Sequence, residues 1–175
     1  MAEPGTDFDE FVRGRSATLL RTAYLFTTDR QEAEDLLQEV LERLYVKWRR
    51  INGAPEAYAR RILTNQAINR WRRRSRRVRE TPLYDQAGES VDDHADRIAV
   101  RGTVLHALRQ LPMRQRVAVV LRYLDDLSEA DTARIMGCSA GTVKSHTARG
   151  LARLRLELPE AAFEPTAGSG PRRRP

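Results

Sequence analysis

Cysteine is nearly absent from this chain, because Cys138 is the only one among 175 residues. An intrachain disulfide is therefore impossible, and so is a metal site built from several cysteines. The three histidines, His94, His106 and His146, are far apart in the sequence and form no metal-binding motif. Paired carboxylates, a nucleophile triad and a glycine-rich phosphate loop are also missing, so the sequence predicts no catalytic residue, no metal and no cofactor.

Long apolar runs are missing as well, and no stretch approaches the length of about 20 residues that a membrane-spanning helix needs. The first residues, MAEPGTDFDEF, have neither the basic start nor the apolar core of a secretory signal. We therefore expect a cytoplasmic protein that has no membrane partner. What the sequence does have is positive charge, since 31 Lys and Arg against 24 Asp and Glu give a net charge of +7. Because the positive charge is clustered, it favours a nucleic-acid partner over a merely soluble basic protein.

Apolar residues recur at helical spacing along nearly the whole chain, which predicts an all-α protein. Between residues 80 and 96 this spacing is lost, and the segment contains the helix breakers Pro82, Gly88 and Ser90 together with many acidic residues. We interpret this segment as an acidic flexible linker. It divides the chain into two small helical domains, residues 1–79 and 97–158. The tail, residues 159–175, is rich in Gly, Pro and Arg and is expected to be disordered.

The sharpest local motif lies near the end of the second domain and consists of two short helices joined by a turn. Ser128 is placed to cap the first helix, Gly137 permits a left-handed turn residue, and Ser139 can cap the second helix. This layout is that of a helix-turn-helix, whose second helix enters the major groove of DNA. An ordinary helical hairpin with a basic surface is the alternative. The candidate donors to phosphates and purine edges are Lys144, Ser145, His146 and Arg149.

Arginine dominates the third predicted helix of the first domain, where nine arginines fall between residues 60 and 79. Such a run neutralises phosphates, although arginine runs are often only solvated surface. Asn65, Gln66 and Asn69 precede most of the run, and their amides are suited to base edges. Tyr58 and Trp71 are able to support unstacked bases, although core packing explains Tyr58 better. The candidate nucleic-acid contacts of this helix are Asn65, Asn69, Arg72 and Arg73.

The helix predicted from Arg30 to Trp48 has the opposite charge. Thr28 followed by Gln31 fits a capping box at its start. Its acidic surface does not suit DNA and favours a protein partner with a basic surface, unless it is simply a solvated amphipathic helix. The polar residues that lie off its apolar stripe are Glu34, Asp35, Gln38, Glu39 and Glu42.

Taken in order, three segments resemble the sigma-70 family of bacterial RNA polymerase sigma factors, in its two-domain extracytoplasmic-function branch and near actinobacterial SigE-like members. AEDLLQEVLERLYVKW is similar to the helix that docks on the polymerase. RRILTNQAINRWRRRSRR is similar to the helix that reads and opens the −10 promoter element. LPMRQRVAVVLRYLDDLSEADTARIMGCSAGTVKSHTARGLARLR is similar to the domain that binds the −35 element.

This resemblance implies partners and roles for individual residues. Core RNA polymerase, promoter DNA and, in some cases, an anti-sigma protein are the implied partners, and the mechanism is binding and strand opening without catalysis. Asn65 corresponds to a residue that holds a flipped −10 base, in a segment that also contains Asn69, Arg72 and Arg73. The implied −35 contacts are Lys144, Ser145 and Arg149, and His146 is included with them because it is predicted on the outer face of the same helix. The implied polymerase-docking residues are Asp35, Gln38 and Glu39, and Glu42 is included with them because it is predicted on the same acidic face.

Two other classes of protein remain as alternatives at this stage. TVKSH, residues 142–146, also resembles the output domain of LuxR-type regulators. Such a regulator typically carries an α/β receiver domain, and the first half of this chain shows no alternating strand pattern. A cationic helical protein that binds RNA or a membrane is the second alternative, but it would not need the turn glycine or the two helix caps.

Overall fold

The computed structural model describes the backbone of residues 4–51, 53–80 and 95–158, and the side chains of residues 7–51, 53–76 and 102–158. All regular elements within these ranges are helical, which confirms the predicted all-α class. A short 3₁₀ turn, Trp48–Arg50, follows the second helix, and a π-helical turn, Val120–Leu124, continues the fifth. The α-helices in chain order are α1 (Pro4–Thr27), α2 (Arg30–Lys47), α3 (Pro55–Glu80), α4 (Ala95–Arg109), α5 (Met113–Val119), α6 (Glu129–Met136) and α7 (Ala140–Glu157).

Helices α1, α2 and α3 pack against each other and form the N-terminal half. Their apolar residues recur three and four positions apart, so each helix presents one stripe to the shared core. Near the start of α1, the Phe8 ring meets the rings of Tyr45 and Trp48 edge-on, with centroids 5.1 and 5.2 Å apart. The buried residues of this half include Leu19, Ala23, Phe26, Ala33, Leu36, Val40, Leu44, Ala59, Leu63 and Ala67.

The start of α2 differs from the predicted capping box. Thr28 adopts a left-handed conformation, with φ of 57°. Its backbone N–H donates to the carbonyl oxygen of Tyr24, so Thr28 ends α1 instead of starting α2. Asp29 is the N-cap of α2, because its side chain accepts from the backbone N–H of Glu32 at 2.8 Å. The prediction that Thr28 and Gln31 form the cap was therefore wrong by one residue.

Helices α4 to α7 form the C-terminal half, in which α7 packs mainly on α5 and α6. The crossing of α7 and α5 is close at Gly150, which is buried against Val119 and the backbone of Gln115. The buried residues of this half include Ala107, Leu108, Leu111, Met113, Val117, Val120, Leu121, Ala133, Ile135, Met136, Val143 and Leu154.

The two halves are in direct contact. Helices α1 and α3 touch α5, α3 also packs on α6, and α1 touches α4 and the π-helical turn. Glu80 ends α3 and Ala95 begins α4. The rest of the predicted linker, residues 81–94, lies outside the described residues, and so does the predicted tail, residues 159–175.

Candidate functional site

The helix-turn-helix has the local geometry that the sequence predicted. The Ser128 hydroxyl oxygen caps α6 by accepting from the backbone N–H of Asp131 at 3.0 Å. Gly137 ends α6 in the left-handed conformation, with φ of 63°. The Ser139 hydroxyl oxygen then caps α7 by accepting from the backbone N–H of Thr142 at 3.1 Å. The two helix caps and the left-handed glycine together fix the direction in which α7 leaves the turn.

The side chains of α7 divide into a buried stripe and an exposed face. Val143, Thr147, Gly150 and Leu154 are buried against the rest of the domain. At about 100° per residue, Ser145 and Arg149 point almost opposite to this stripe, and both are exposed. Lys144 is also exposed and lies at one edge of the exposed face. Three of the four predicted contacts of this helix are therefore available to an external partner.

His146, the fourth predicted contact, lies at the other edge of this face and is only partly exposed. Its Nδ1 atom is buried and has no hydrogen-bond partner among the described residues. Burial lowers the pKa of His146, and the nearby charges of Arg114 and Arg149 lower it further. This direction favours the neutral imidazole at pH 7, so His146 adds little positive charge to the exposed face of α7.

The predicted contacts of α3 share a solvent-facing surface. Asn65, Asn69 and Arg72 follow each other at spacings of four and three residues, so they lie on one face, and all three are exposed. Arg73 is also exposed and lies at the edge of this face. Arg76, one turn further along, is exposed on the same face. Amide groups and guanidinium groups are thus presented together along two turns of the helix.

Two arginines of α3 form ion pairs with carboxylates of α2, which makes them less available to a ligand than the unpaired arginines of the helix. Arg70 donates to the Glu39 carboxylate at 2.7 Å, and Arg74 forms an ion pair with Glu32. Gln66 is buried and donates to Glu39 at 2.6 Å, so it cannot read bases as its amide chemistry suggested. Within the described side chains, four exposed arginines of this face make no ion pair: Arg61, Arg72, Arg73 and Arg76.

The two aromatic residues of α3 lie in different surroundings. Tyr58 is partly buried and packs against the core, as expected. Trp71 is 45% exposed and lines a cleft of about 590 Å³ between α3, the start of α2 and the C-terminal half. It points away from the face of Asn65, because a difference of six residues corresponds to a rotation of about 120°.

The acidic surface of α2 is only partly exposed to partners. Asp35, Gln38 and Glu42 are exposed, and the Gln38 amide donates to the Glu42 carboxylate at 3.3 Å. Glu39 is half-buried and accepts from Arg70, Gln66 and Arg43. Burial tends to raise the pKa of Glu39, but Arg70 and Arg43 outweigh burial and bring this pKa below its ordinary value. Glu39 therefore holds α2 and α3 together through its bonds to Arg70 and Gln66, and this contribution is separate from any contact that Glu39 makes with a partner protein.

Beside the acidic residues of α2 lies an apolar groove of about 450 Å³ between α1 and α2. Tyr45 at its edge is 63% exposed, and the neighbouring Val46 is 80% exposed. Apolar surface that stays exposed next to charged residues often marks a protein-binding site. The residues that line this groove are Phe8, Leu20, Glu34, Leu37, Gln38, Leu41, Glu42 and Tyr45.

Other kinds of site are not indicated by the geometry. The described side chains contain no group of three or more His, Cys, Asp or Glu residues that is placed to hold a metal ion. Among the described helices, none combines the length and the apolar character required to cross a membrane.

Comparison with known proteins shows which family this chain belongs to. Residues 11–77 match the family description of sigma-70 region 2, and residues 101–154 match sigma-70 region 4. The RNA polymerase sigma-E factor of Streptomyces avermitilis is 41% identical over 154 residues, which are 87% of this chain and 85% of that protein. The chain belongs to the sigma-70 family. This confirms the resemblance drawn from the three segments, and it makes the chain a sigma factor for transcription initiation.

Further relatives place this sigma factor in the extracytoplasmic-function branch. The ECF RNA polymerase sigma factor SigM of Mycobacterium tuberculosis is 34% identical over 149 residues, which cover 84% of this chain and 74% of that protein. The sigma-E factor of Streptomyces coelicolor is 40% identical over 154 residues, 87% of this chain and 86% of that protein. Residues 11–77, in the first half of this chain, match sigma-70 region 2 and not a receiver domain, so the LuxR-type alternative has no support.

Solved structures share the fold of this sigma factor. The sigma factor RpoE from Bartonella quintana, in a complex with the anti-sigma factor NepR, superposes with a TM-score of 0.73 at 25% identity. The superposition covers 86% of this chain and 95% of that one. CnrH, in a complex with the cytosolic domain of CnrY, gives a TM-score of 0.60 at 18% identity, covering 84% of each chain, and this second likeness supports the fold alone.

Sequence reasoning missed the polar residues that join the two halves of this sigma factor. Asp125 accepts hydrogen bonds from Thr22 and forms an ion pair with Arg60. Arg116 donates to the backbone carbonyl oxygen of Phe26 at 2.7 Å. No signal in the sequence indicates these pairs, because the partners lie 65 to 103 residues apart.

Proposed function

We propose that α7 is the helix that reads the −35 element as duplex DNA. The observation that carries this proposal is the exposed position of Ser145 and Arg149 opposite the buried stripe of a helix whose start is fixed by Gly137 and Ser139. A helix about 10–12 Å across fits the major groove, which is about 12 Å wide. In this arrangement Arg149 contacts a base edge or a phosphate, and Lys144 and Ser145 contact the DNA backbone. His146 adds a hydrogen-bond donor or acceptor at the edge of the exposed face of α7.

We propose that the exposed face of α3 binds the −10 element and stabilises its opened strand. Asn65 and Asn69 offer amides to the edges of unpaired bases, while Arg72 and Arg73 neutralise the adjacent phosphates. Extruding a base from the stack costs a few kcal/mol, which base-specific hydrogen bonds and polymerase contacts must offset. The support for this proposal is that these amides and cations are exposed on adjoining parts of one helix.

We propose that α2 docks on core RNA polymerase through Asp35, Gln38 and Glu42, with Glu39 contributing from its half-buried position. Exposed carboxylates next to an apolar groove suit a partner helix that is basic on one side and apolar on the other. An anti-sigma protein is a second candidate partner of this sigma factor. The support for this second partner is that the structurally similar RpoE was solved in a complex with an anti-sigma factor.

We propose that each segment expected from the sequence has its own role. Residues 1–79 bind polymerase and the −10 element, residues 80–96 connect the domains, and residues 97–158 bind the −35 element, while residues 159–175 form a tail. The protein acts by binding and not by catalysis, and it works in the cytoplasm, where core polymerase meets promoter DNA.

Reconstitution with core polymerase tests this function. The purified chain, added to core polymerase that is free of other sigma factors, is expected to bind it and to start transcripts at discrete sites on genomic DNA. Arg149→Ala provides the matched control, because it should still bind polymerase while losing site-specific initiation. If the unaltered chain does not bind core polymerase, the proposed function is wrong.

A further inference from the structure

A basic cleft lies between the two halves of the molecule. It has a volume of about 590 Å³ and is bounded by α3, the start of α2 and the first helices of the C-terminal half. Binding sites for small molecules usually have volumes of about 300–1,000 Å³, so one compact ligand fits this cleft. Arginine is the commonest residue along its walls, on α3, at the end of α4 and on α5: Arg70, Arg73, Arg74, Arg109 and Arg116.

The carboxylates of the cleft do not balance these arginines. Two of the arginines are compensated, because they pair with Glu39 and Glu32 of α2. The Asp29 carboxylate caps α2, so Asp35 is the carboxylate that remains unpaired among the described lining residues. The other three arginines form no ion pair with any side chain that the structure describes: Arg73, Arg109 and Arg116. The cleft therefore attracts an anion that carries more than one negative charge.

Arg116 is a buried cation that has no carboxylate partner. Its side chain is 7% exposed, and its Nη1 donates to the carbonyl oxygen of Phe26 at 2.7 Å. Its Nη2 donates to the carbonyl oxygens of Arg109 and Leu111, while its buried Nε has no hydrogen-bond partner among the described residues. Burial, together with the charge of Arg109, lowers the pKa of Arg116 to about 10, so the guanidinium is charged at neutral pH. A counter-charge in the cleft would offset the cost of burying this cation.

Trp71 gives the cleft a flat aromatic surface. Its side chain is 45% exposed, although tryptophan is highly buried on average. The aromatic contacts between described rings involve Phe8, Phe11, Tyr45 and Trp48, and the Trp71 ring takes no part in them. Aromatic side chains bind nucleobases by stacking, and arginines bind phosphates through charge-assisted hydrogen bonds. An exposed indole ring and unpaired guanidinium groups in one cleft thus match the two parts of a nucleotide.

We propose that this cleft binds a nucleoside polyphosphate, whose base stacks on Trp71 and whose phosphates bind Arg109 and compensate the buried charge of Arg116. A polyphosphate suits the charge of the cleft, because three unpaired arginines face one unpaired carboxylate. A base suits the indole ring, which a bare anion would leave exposed to water. The base and the phosphates contact opposite walls, since Trp71 lies on α3 and the two arginines lie on α4 and α5.

The fluorescence of Trp71 reports on this binding. The chain has two tryptophans, and Trp48 packs against the rings of Phe8 and Phe11 instead of lining the cleft. Trp48→Phe therefore leaves Trp71 as the single indole fluorophore of the full chain. We expect GTP and ATP, added without DNA or polymerase, to quench this fluorescence in a saturable way. Because polymerase is left out, the result does not depend on the proposed function.

Fragments of the nucleotide test the two halves of the proposed contact. Guanosine has the base without the phosphates, and inorganic tripolyphosphate has the phosphates without the base. Each fragment should bind the unaltered chain about tenfold more weakly than GTP does, because each lacks one of the two contacts. Isothermal titration calorimetry measures the three affinities.

Matched variants test the residues of the cleft. Arg109→Gln should weaken GTP binding about tenfold and leave guanosine binding unchanged, because it removes a phosphate contact. Trp71→Ala should weaken both ligands, and Trp71→Phe should restore part of the affinity by stacking. Arg50→Gln is the control, since it removes the same charge from an exposed arginine that does not line the cleft, and it should bind GTP normally. Circular dichroism verifies that each variant is folded.

Four outcomes would overturn the proposal. The unaltered chain may give no saturable signal with either nucleotide, which would leave the cleft without this ligand. Equal affinities for tripolyphosphate and GTP would make the cleft a site for a bare anion. Equal losses in Arg109→Gln and Arg50→Gln would indicate non-specific attraction to a basic protein. A short single strand of DNA that binds more tightly than GTP, and that loses binding in Arg109→Gln and Trp71→Ala, would make a nucleic-acid strand the occupant instead of a free nucleotide.

Discussion

Gly150 of α7 lies so close to Val119 of α5 that a Cβ atom on Gly150 would be 2.7 Å from the Val119 Cγ2 atom. The Gln115 backbone oxygen would be 3.4 Å from the same Cβ. The close crossing of these two helices sets the position of α7 within its domain. A side chain at residue 150 would force the helix that carries Arg149 away from α5.

The first prediction follows from this crossing. Gly150→Ala should lower the free energy of unfolding, because overpacking costs about 1–3 kcal/mol and the better helix propensity of alanine returns only about 1 kcal/mol. Gly102→Ala is the control, since nothing lies within 4 Å of its Cβ position on α4, and it should be neutral or stabilising. Urea unfolding of both variants gives the comparison. Equal stability of the two variants would contradict a tight α5–α7 contact.

The second prediction concerns the surface of α2 that we propose docks on polymerase. Asp35→Lys combined with Glu42→Lys should abolish binding to core polymerase while leaving the fold intact, because both side chains are exposed and exposed substitutions usually change stability by about 0.5 kcal/mol or less. Glu39 is left unaltered, since it binds Arg70 and Gln66 inside the protein. Native gel electrophoresis with core polymerase measures the effect.

A charge-matched variant completes this test. Glu129→Lys combined with Glu157→Lys makes the same change in net charge at two exposed positions of the C-terminal half, and this variant should bind normally. Normal binding by the α2 variant would mean that polymerase docks elsewhere on the protein.

The third prediction separates the roles that we propose for α7 and α3 in binding DNA. Arg149→Ala should weaken binding to intact −35 duplex by about 1–3 kcal/mol if the guanidinium makes a bidentate base contact. Arg155→Ala removes the same charge further along α7, where the side chain is also exposed, and it should have a smaller effect. Fluorescence anisotropy with a labelled duplex measures both affinities. Equal losses for the two variants would indicate a purely electrostatic role for Arg149.

The fourth prediction applies to the strand opening that we propose for α3. Asn65→Ala should leave duplex binding nearly unchanged and reduce open-complex formation, because its amide is proposed to hold an unpaired base. A promoter mismatched across the −10 element should largely restore opening by Asn65→Ala, although any lost base contact persists. The same template should not restore Arg149→Ala. Permanganate footprinting reports the unpaired bases, and equal restoration of both variants would show that the roles of α3 and α7 are assigned wrongly.

The fifth prediction uses the ionisation of Glu39. Because the pKa of Glu39 in the folded protein lies below its ordinary value, the ionised group stabilises the fold at neutral pH, and this contribution is lost as the pH falls through the lowered pKa. Glu39→Gln should therefore be less stable than the unaltered protein at pH 7, by about 1 kcal/mol or less. The difference should shrink in acid. Thermal unfolding between pH 7 and pH 3 measures it, and a constant difference would exclude an ionic role.

Much of the helix-turn-helix was predictable from the sequence because its signals are local. Ser128, Gly137 and Ser139 each act within a few residues, through caps and a left-handed turn, and the structure has all three as predicted. The cap of α2 was misplaced because Thr28 ends α1 in a left-handed conformation, which the capping-box pattern does not indicate. The error is one residue, and it leaves the faces of α2 unchanged.

The sequence by itself determined the helices, the helix-turn-helix and the exposed polar faces, since periodicity and caps depend on residues three or four positions apart. Only the tertiary structure decided which polar side chains bind each other between helices. Gln66 and Arg70 reach Glu39, and Asp125 reaches Thr22 across 103 residues. Such pairs depend on the angles and distances at which whole helices pack. Other arginines and carboxylates in the chain have the same chemistry and the same local sequence surroundings, so the sequence does not indicate which of them will pair.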